Sequence, residues 1–383
     1  MTLTQIPKMV DTVTLRLNES EFKILDHKRF SPNSESLFVP PYSRMGGRAY
    51  LDCYQNPSKS DFKKGDYKPQ LTLRKRWIDG DPQIYLYIQF SAPKILYLNN
   101  FDELNNEDFT TICSELQVKL LSMGVLTSSE KIANALVTKI HYSKNILLPP
   151  FVIPYMIMKE VRKIDFDLRY DLAEKDYLNS GQSLRFHTKE FEFILYDKKK
   201  DLEKAKKGEK SIDKDPEVQL NLFEKFVPKK SFEILRLEVR LNTSNKIKKE
   251  LSSKVEKYTF QKLFNSDISV YILNKYWNLI MENYLLINFD IDNKEKFLAS
   301  FIINNPNCKI TTALSTYAFL EYIKDLGIRR FREILEHRYG RSSWYSLKSK
   351  IKGYNLKKIP NQQLEYVSNY LKNYEPLYLK DFE

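Results

Sequence analysis

Alternation of apolar and polar residues dominates the first 100 positions of the chain. Short runs rich in β-branched and aromatic residues, at 13–17, 49–54, 70–75 and 84–92, repeat with a period of two. Clusters of Pro, Asn, Ser, Gly and Asp separate these runs, as is typical of strands joined by turns. The pattern therefore predicts an antiparallel or mixed sheet.

A helical pattern follows this first group of strands. Between Asn106 and Met123 apolar residues recur at intervals of three and four, and Gly124 stands where such a helix would end. This spacing predicts an amphipathic helix lying on the sheet. Residues 135–142 predict a further strand, followed by the segment SKNILLPP, whose paired prolines end it.

The clearest alternation lies in two later segments, 191–196 and 234–242. In the first, Glu192, Ile194 and Tyr196 share one face, and in the second Arg236, Glu238 and Arg240 alternate with leucine and valine residues. Both segments are therefore predicted to be strands. Between them, residues 197–230 hold many lysines and predict a short charged helix that runs into a mobile loop.

Beyond about residue 250 the period changes to that of helices. The segments 258–264, 270–287, 311–327 and 329–340 each have helical spacing, with Gly327 and Gly340 as stops. We therefore expect an α+β fold with two domains, an antiparallel-sheet core at residues 1–250 and a mainly helical C-terminal module at residues 255–383.

Charge adds information about the partner. The 383 residues include 62 Lys+Arg against 49 Asp+Glu, a formal net charge of +13, and 13% are aromatic. Lysine and arginine neutralise phosphates while aromatic rings stack on unpaired bases, so this composition favours a nucleic-acid partner. No run approaches the roughly 18 apolar residues of a membrane-spanning helix, which predicts a cytoplasmic protein without a membrane partner. The three cysteines form no CxxC pair, which argues against a zinc ribbon.

Tyr196 and Lys200 form the first candidate for chemistry. If a helix begins at Tyr196, one turn brings both side chains to the same face. The lysine ammonium would then stabilise a phenolate, which is a workable nucleophile, and could neutralise a phosphate under attack. The alternative is a tyrosine at a strand end beside a solvated, lysine-rich helix.

Glu238 and His141 form the second candidate. Glu238 stands between Arg236 and Arg240, where it either joins a surface ladder of ion pairs or holds a divalent cation while the arginines hold phosphates. His141, at the end of a predicted strand, is either an uncharged strand histidine or one ligand of a mixed site. No two of the four histidines have the spacing of a metal motif.

Three segments together resemble the rolling-circle replication initiators of small phages and plasmids, which include the filamentous-phage replication endonuclease and the Rep-trans plasmid initiators. They are VTKIHYSKNI (137–146), FEFILYDKKKDLEK (191–204) and ILRLEVRLN (234–242), with MVDTVTLRL as weaker support. The resemblance covers about residues 9–250. It implies an RRM-like antiparallel sheet and a nickase that cuts single-stranded origin DNA, keeps a 5′-phosphotyrosine link, frees a 3′-hydroxyl primer and later rejoins the strand.

The resemblance also implies roles for individual residues. Tyr196 matches the nucleophile, Lys200 a group that stabilises the phenolate or the leaving oxygen, and His141 and Glu238 the ligands of Mg²⁺ or Mn²⁺. The paired histidines of HUH endonucleases are absent, so Asp165 and Asp167 stay open as alternative ligands. The DNA phosphates would be contacted by Arg236, Arg240, Lys198 and Lys199.

No Walker motif is present, so strand separation and synthesis would depend on a host helicase and polymerase. A non-catalytic origin-binding or single-strand-DNA-binding protein is the alternative function. A third hypothesis starts from His337, Arg341 and Tyr345, which superficially resemble a tyrosine recombinase. Their close spacing instead favours a basic helical segment that contacts the DNA backbone.

Overall fold

The computed structural model describes residues 9–38, 50–58, 61, 66–78, 81–105, 107–164, 171–172, 183–201, 232–284 and 288–382. Within these ranges most strands precede residue 242, and helices make up the regular structure beyond it. The predicted α+β class, with an antiparallel sheet and a helical C-terminal region, is confirmed.

A nine-stranded sheet forms the centre of the fold. Its strand order is β3-β4-β5-β1-β7-β11-β10-β9-β8, every described pairing is antiparallel, and β2 and β6 pair separately. The strands are β1 (Val10–Asn18), β2 (Lys23–Ile24), β3 (Tyr50–Gln55), β4 (Gln70–Ile78), β5 (Asp81–Ser91), β6 (Val125–Leu126), β7 (Leu136–Leu147), β8 (Asp171–Leu172), β9 (Ser183–His187), β10 (Phe191–Asp197) and β11 (Ile234–Leu241).

Strand β7 is longer than its sequence predicts. The predicted strand covered residues 135–142, but β7 continues through Ser143, Lys144 and Asn145 to Leu147, just before the paired prolines. Pairing with β11 explains the extension, because residues 140–147 are matched one by one with residues 241–234. A strand with partners on both sides tolerates polar residues that its sequence alone does not favour.

Helices account for the rest of the described regular structure. The predicted amphipathic helix is confirmed as α3, and the two glycine stops are confirmed at the ends of α10 and α11. The helices are α1 (Glu35–Phe38), α2 (Ala92–Tyr97), α3 (Asp108–Ser122), α4 (Ser129–Asn134), α5 (Pro154–Arg162), α6 (Ser244–Leu251), α7 (Phe260–Leu263), α8 (Ser266–Tyr284), α9 (Lys294–Asn304), α10 (Ile310–Leu326), α11 (Ile328–Tyr339), α12 (Arg341–Gly353) and α13 (Gln362–Asn373).

One face of the sheet is apolar and covered by helices. Leu235, Leu237 and Val239 of β11 are fully buried there. Phe191 of β10 stacks on Tyr276 of α8 with ring centroids 4.3 Å apart. Helix α13 adds Leu364, Val367 and Leu371 to the same core. Because successive side chains of a strand point to opposite faces, the alternate residues form the other face of the sheet, which is polar.

The described residues form two large hydrophobic cores and a small cluster of Phe101, Ile234 and Leu379, and the two large cores are not separated at residues 250–255. The larger core includes side chains of α7, α8 and α13, which belong to the predicted C-terminal module. The smaller core is formed by residues between Phe289 and Leu356, from α9 to α12. The sheet therefore draws part of its apolar cover from beyond the predicted boundary. In the part of the chain that the structure describes, no helix is both long and apolar enough to cross a bilayer.

Candidate functional site

The polar face of the sheet is the face that carries Arg236, Glu238 and Arg240 of β11. Side chains of residues that are paired across neighbouring antiparallel strands point to the same side of the sheet. The strand register therefore determines which other residues lie on the same face as Arg236, Glu238 and Arg240. Asn145 and Tyr196 lie opposite Arg236, Ser143 and Ile194 lie opposite Glu238, and His141 and Glu192 lie opposite Arg240.

His141 and Glu238 form a direct pair at the centre of this face. Nδ1 of His141 lies 3.3 Å from Oε1 of Glu238, and both side chains are less than a tenth exposed. The second polar atom of each, Nε2 and Oε2, is buried and has no hydrogen-bond partner among the described residues. Burial of an unpaired polar atom is costly, which makes these two atoms candidates for binding a ligand.

Neighbouring charges set the protonation of this pair. Burial would raise the pKa of the Glu238 carboxyl, but Arg240, His141 and Arg236 outweigh it and hold that pKa well below its usual range. Nε of Arg240 lies 2.8 Å from Oε1 of Glu238. The pKa of His141 is lowered by burial, and the cations Arg240 and Lys139 act in the same direction. Near neutral pH the pair is therefore a carboxylate beside a neutral imidazole.

Arg236 is a buried anchor. Its NH2 lies 2.9 Å from Oδ2 of Asp11 and donates to Oγ of Ser143 at 2.8 Å. Its NH1 donates to the backbone oxygen of Asn100 at 2.6 Å and to Oδ1 of Asn145 at 3.2 Å. With the side chain 3% exposed, these contacts tie β11 to β1, to β7 and to the loop after α2. The predicted phosphate contact through Arg236 would require several of these bonds to break.

Tyr196 lies across from Arg236 and is partly exposed. Burial raises the pKa of its phenol well above the ordinary value, and the Arg236 guanidinium only partly offsets that effect. The phenol therefore keeps its proton at neutral pH.

The lysines after β10 take three different positions. The helix begins at Lys198, whereas Tyr196 remains in the strand, so the one-turn geometry expected for Tyr196 and Lys200 is not formed. Lys198 is fully buried; its Nζ lies 6.0 Å from the ring centre of Tyr196 and donates to Oδ1 of Asn100 at 2.8 Å. Lys199 lies 3.4 Å from Glu233, and exposed Lys200 lies 3.9 Å from Asp197. Burial therefore leaves Lys198 unsuited to the predicted solvent-side contact with phosphate.

Several residues of this face were missed by sequence reasoning. Asp11, Ser143 and Asn145 all bond to Arg236. The signal was present in β7, where Ser143 and Asn145 continue the alternation that His141 begins. Asp11 was harder to identify from the sequence, because it is a single acidic residue in the first strand. Its importance follows from the pairing of β1 with β7.

The residues present fit part of a site for Mg²⁺ or Mn²⁺. Nε2 of His141 and Oε2 of Glu238 are one nitrogen and one oxygen donor, each buried and without a hydrogen-bond partner among the described residues. Across the described ranges no three His, Cys, Asp or Glu residues cluster closely enough to hold a metal. Asp165 and Asp167, the alternative ligands, lie outside the described residues. A magnesium ion with two protein ligands would complete its coordination with water and phosphate oxygens.

Comparison with known proteins gives no family for this chain. No protein-family model, no curated protein and no solved structure matches it. Any function assigned to the chain therefore rests on its own residues and their geometry.

Proposed function

We propose that this chain nicks and rejoins single-stranded DNA at a phage or plasmid replication origin, with Tyr196 as the nucleophile. The observation that supports this most strongly is convergence on one face. His141, Tyr196 and Glu238 come from three separate segments of the sequence and lie on the same face of adjacent strands. Reaction at one phosphodiester needs such an arrangement, because the reacting groups must meet at one phosphorus atom.

In the proposed step, Oη of Tyr196 forms a bond to phosphorus while the bond from phosphorus to the 3′ oxygen breaks. The phenol proton leaves Oη, and the departing oxygen takes up a proton to become the 3′-hydroxyl primer. The 5′-phosphate stays on the tyrosine, so a reverse attack by a 3′-hydroxyl rejoins the strand. Because burial keeps the phenol protonated in the free protein, another group must accept its proton during attack.

His141 and Glu238 would support this step. The neutral imidazole has a buried Nε2 without a hydrogen-bond partner among the described residues, which is suited to bind a metal ion. Mg²⁺ or Mn²⁺ held by His141 and Glu238 would polarise the phosphoryl oxygens. Arg240, whose side chain is 32% exposed, has room to contact a phosphate.

A non-catalytic single-strand-DNA-binding protein is the second candidate. It is favoured by the protonated state of Tyr196 and by the lack of a third metal ligand near His141 and Glu238 among the described residues. The two candidates share the polar face and differ in whether a covalent bond to DNA forms.

The deciding experiment is a test for a covalent adduct. The purified full chain is incubated with Mn²⁺ and single-stranded oligonucleotides that tile the replicon carrying its gene, then denatured. We expect a denaturant-resistant adduct with the unaltered protein, and none with Tyr196→Phe, while DNA affinity stays within about twofold. Tyr87→Phe is the matched control, because Tyr87 lies on the same face in β5 and is also partly exposed.

Two other results would contradict the proposal. An adduct that persists in Tyr196→Phe would move the nucleophile to another residue. No adduct with any divalent cation, at concentrations where the oligonucleotides bind, would establish the non-catalytic candidate instead.

A further inference from the structure

Helix α12 carries a charge pattern that the nicking reaction does not use. Its 13 residues, RSSWYSLKSKIKG, include Arg341, Lys348, Lys350 and Lys352 and no acidic residue. The preceding helix α11 is also rich in arginine, but there the charges are largely neutralised within the helix. Arg329 and Arg330 both lie near Glu333, and Arg332 lies 2.7 Å from Glu336.

Three of the four cations of α12 lack such partners among the described residues. Arg341, Lys350 and Lys352 are exposed and form no ion pair with any described residue. Three like charges on one short helix repel each other, and this repulsion destabilises the helix slightly. An external polyanion would remove that cost, since phosphate groups pair with the cations and release their own counterions.

Burial defines the orientation of α12. Trp344 and Ile351 are buried in the smaller core, and Leu347 packs against that core. The opposite side is exposed along the whole helix. On a helical projection its centre is formed by Ser342, Ser349 and Gly353, all exposed. Arg341 and Lys352 lie on one flank of this strip and Lys350 on the other.

This arrangement fits the major groove of duplex DNA. A helix with its side chains is about 10–12 Å across, and the groove is about 12 Å wide. Small residues at the centre of the exposed side permit a close approach to the base edges, where serine hydroxyls can bond to any base. Cations on both flanks would then reach the phosphates of the two strands that border the groove.

The fold presents α12 in a fixed position. Gly340, with φ +80°, is the one residue between α11 and α12, and Gly327 alone separates α10 from α11. Trp344 anchors α12 in the core that these helices share. Short links and a buried anchor hold the exposed side outward as a rigid surface.

We propose that the exposed side of α12 binds duplex DNA by entering the major groove, separately from the polar face of the sheet. The inference does not depend on the chemistry of Tyr196, because binding to a duplex is measured without cleavage. It gives the C-terminal helices a specific partner, which a protein that acts on one site in a long duplex requires.

Binding by the full chain is measured with a 20-base-pair duplex and with one of its strands, over a series of salt concentrations. The triple variant Arg341→Gln, Lys350→Gln, Lys352→Gln should lose at least tenfold in duplex affinity. Because each lost phosphate contact lowers the slope of log affinity against log salt by about 0.9, that slope should fall by roughly 2 to 3. Affinity for the single strand should change by less than threefold.

The matched control is Lys248→Gln, Lys249→Gln, Lys257→Gln, which removes the same charge from exposed positions near α6. It should lower duplex affinity by less than threefold. Equal losses in both triple variants would overturn the inference, because net charge rather than α12 would then govern binding. Equal losses for duplex and single strand in the α12 variant would also overturn it.

A second variant tests groove entry. Ser349→Phe keeps the charge of α12 but places a bulky ring at the centre of its exposed side, and should lower duplex affinity at least tenfold. Unchanged affinity would show that α12 contacts phosphates without entering the groove. Because all of these positions are exposed, each variant should have the melting temperature of the unaltered chain, and this is measured for each.

Discussion

At the scale of single residues, burial separates side chains that the sequence presents as equivalent. Arg236 and Arg240 are two positions apart on one strand, and both were predicted to contact DNA. Arg236 is buried and bonded to Asp11, Ser143 and Asn145. Arg240 is a third exposed and lies beside Glu238. A difference in neighbours therefore makes the first a structural anchor and leaves the second available to a ligand.

Glu250 provides a stability prediction at this scale. Its carboxylate lies 2.7 Å from Nζ of Lys246 and 2.7 Å from Nζ of Lys275, and so links α6 to α8. Burial would raise the pKa of Glu250, but the two lysines outweigh it and the pKa is lowered. Because the folded pKa lies below the unfolded one, this contribution is present above about pH 4.5 and is lost as the pH falls through the folded pKa.

We therefore expect Glu250→Gln to lower the free energy of unfolding at pH 7 by about 1–3 kcal/mol. Its stability should also depend less on pH between 5 and 3 than that of the unaltered chain. Urea unfolding at several pH values measures both effects. Glu256→Gln is the control, since Glu256 is exposed and forms no ion pair within the described residues. A variant that kept the full pH dependence would show that Glu250 does not contribute to it.

At the scale of elements, the packing of consecutive helices depends on the short connections between them. The α10–α11 connection touches the rest of the molecule, because the amide of Ile328 donates to the backbone oxygen of Lys163 at 2.8 Å. Gly327 adopts φ +83°, and a Cβ placed there would lie 3.0 Å from Cα of Lys163. Gly340 adopts φ +80°, but a Cβ there would meet no atom within 4 Å.

This contrast predicts different costs for the same substitution. Gly340→Ala should cost about 1–3 kcal/mol, because φ +80° combined with ψ 166° is a backbone conformation that essentially only glycine adopts. Gly327→Ala should cost at least twice as much, because the backbone at Lys163 must also shift. Thermal unfolding of the two variants gives the comparison. Equal losses would mean that the contact with Lys163 adjusts without cost.

At the scale of the whole molecule, the packing of the helices does not follow the domain boundary that the sequence predicts. Helices α8 and α13 lie in the region predicted to be a separate module, yet both cover the apolar face of the sheet. Tyr142 of β7 donates its hydroxyl to the backbone oxygen of Leu263, which ties α7 to the sheet as well. The segment with a core of its own lies between Phe289 and Leu356.

A fragment of residues 1–250 should therefore fail to fold cooperatively, because the apolar face would be exposed to water. A second fragment, in which a linker of about six residues joins Tyr284 to Asn361, should fold. The linker can be short, since the Asn361 side chain donates to the Tyr284 hydroxyl at 2.9 Å. Thermal unfolding monitored by circular dichroism distinguishes the two fragments. Cooperative unfolding of the 1–250 fragment would instead support the predicted domain boundary at residues 250–255.

The sequence by itself determined most strands, the helical character beyond residue 250 and the partition of β10 and β11 into a polar and an apolar face. These features depend on a local period of two or near four, which side-chain spacing alone imposes. The same alternation placed Tyr196 on one face of its strand and Glu238 on one face of another. His141 was a candidate as a histidine at the end of a predicted strand.

Tertiary structure alone decided which faces meet. The contact between His141 and Glu238, the anchoring of Arg236 by Asp11 and the burial of Lys198 depend on strand order and register between segments about 100 to more than 200 residues apart. The same holds for the helices that cover the sheet. Hydrophobic burial does not depend on separation along the chain, so the apolar face is covered by the helices that the fold brings to it, including α7, α8 and α13, which follow residue 250.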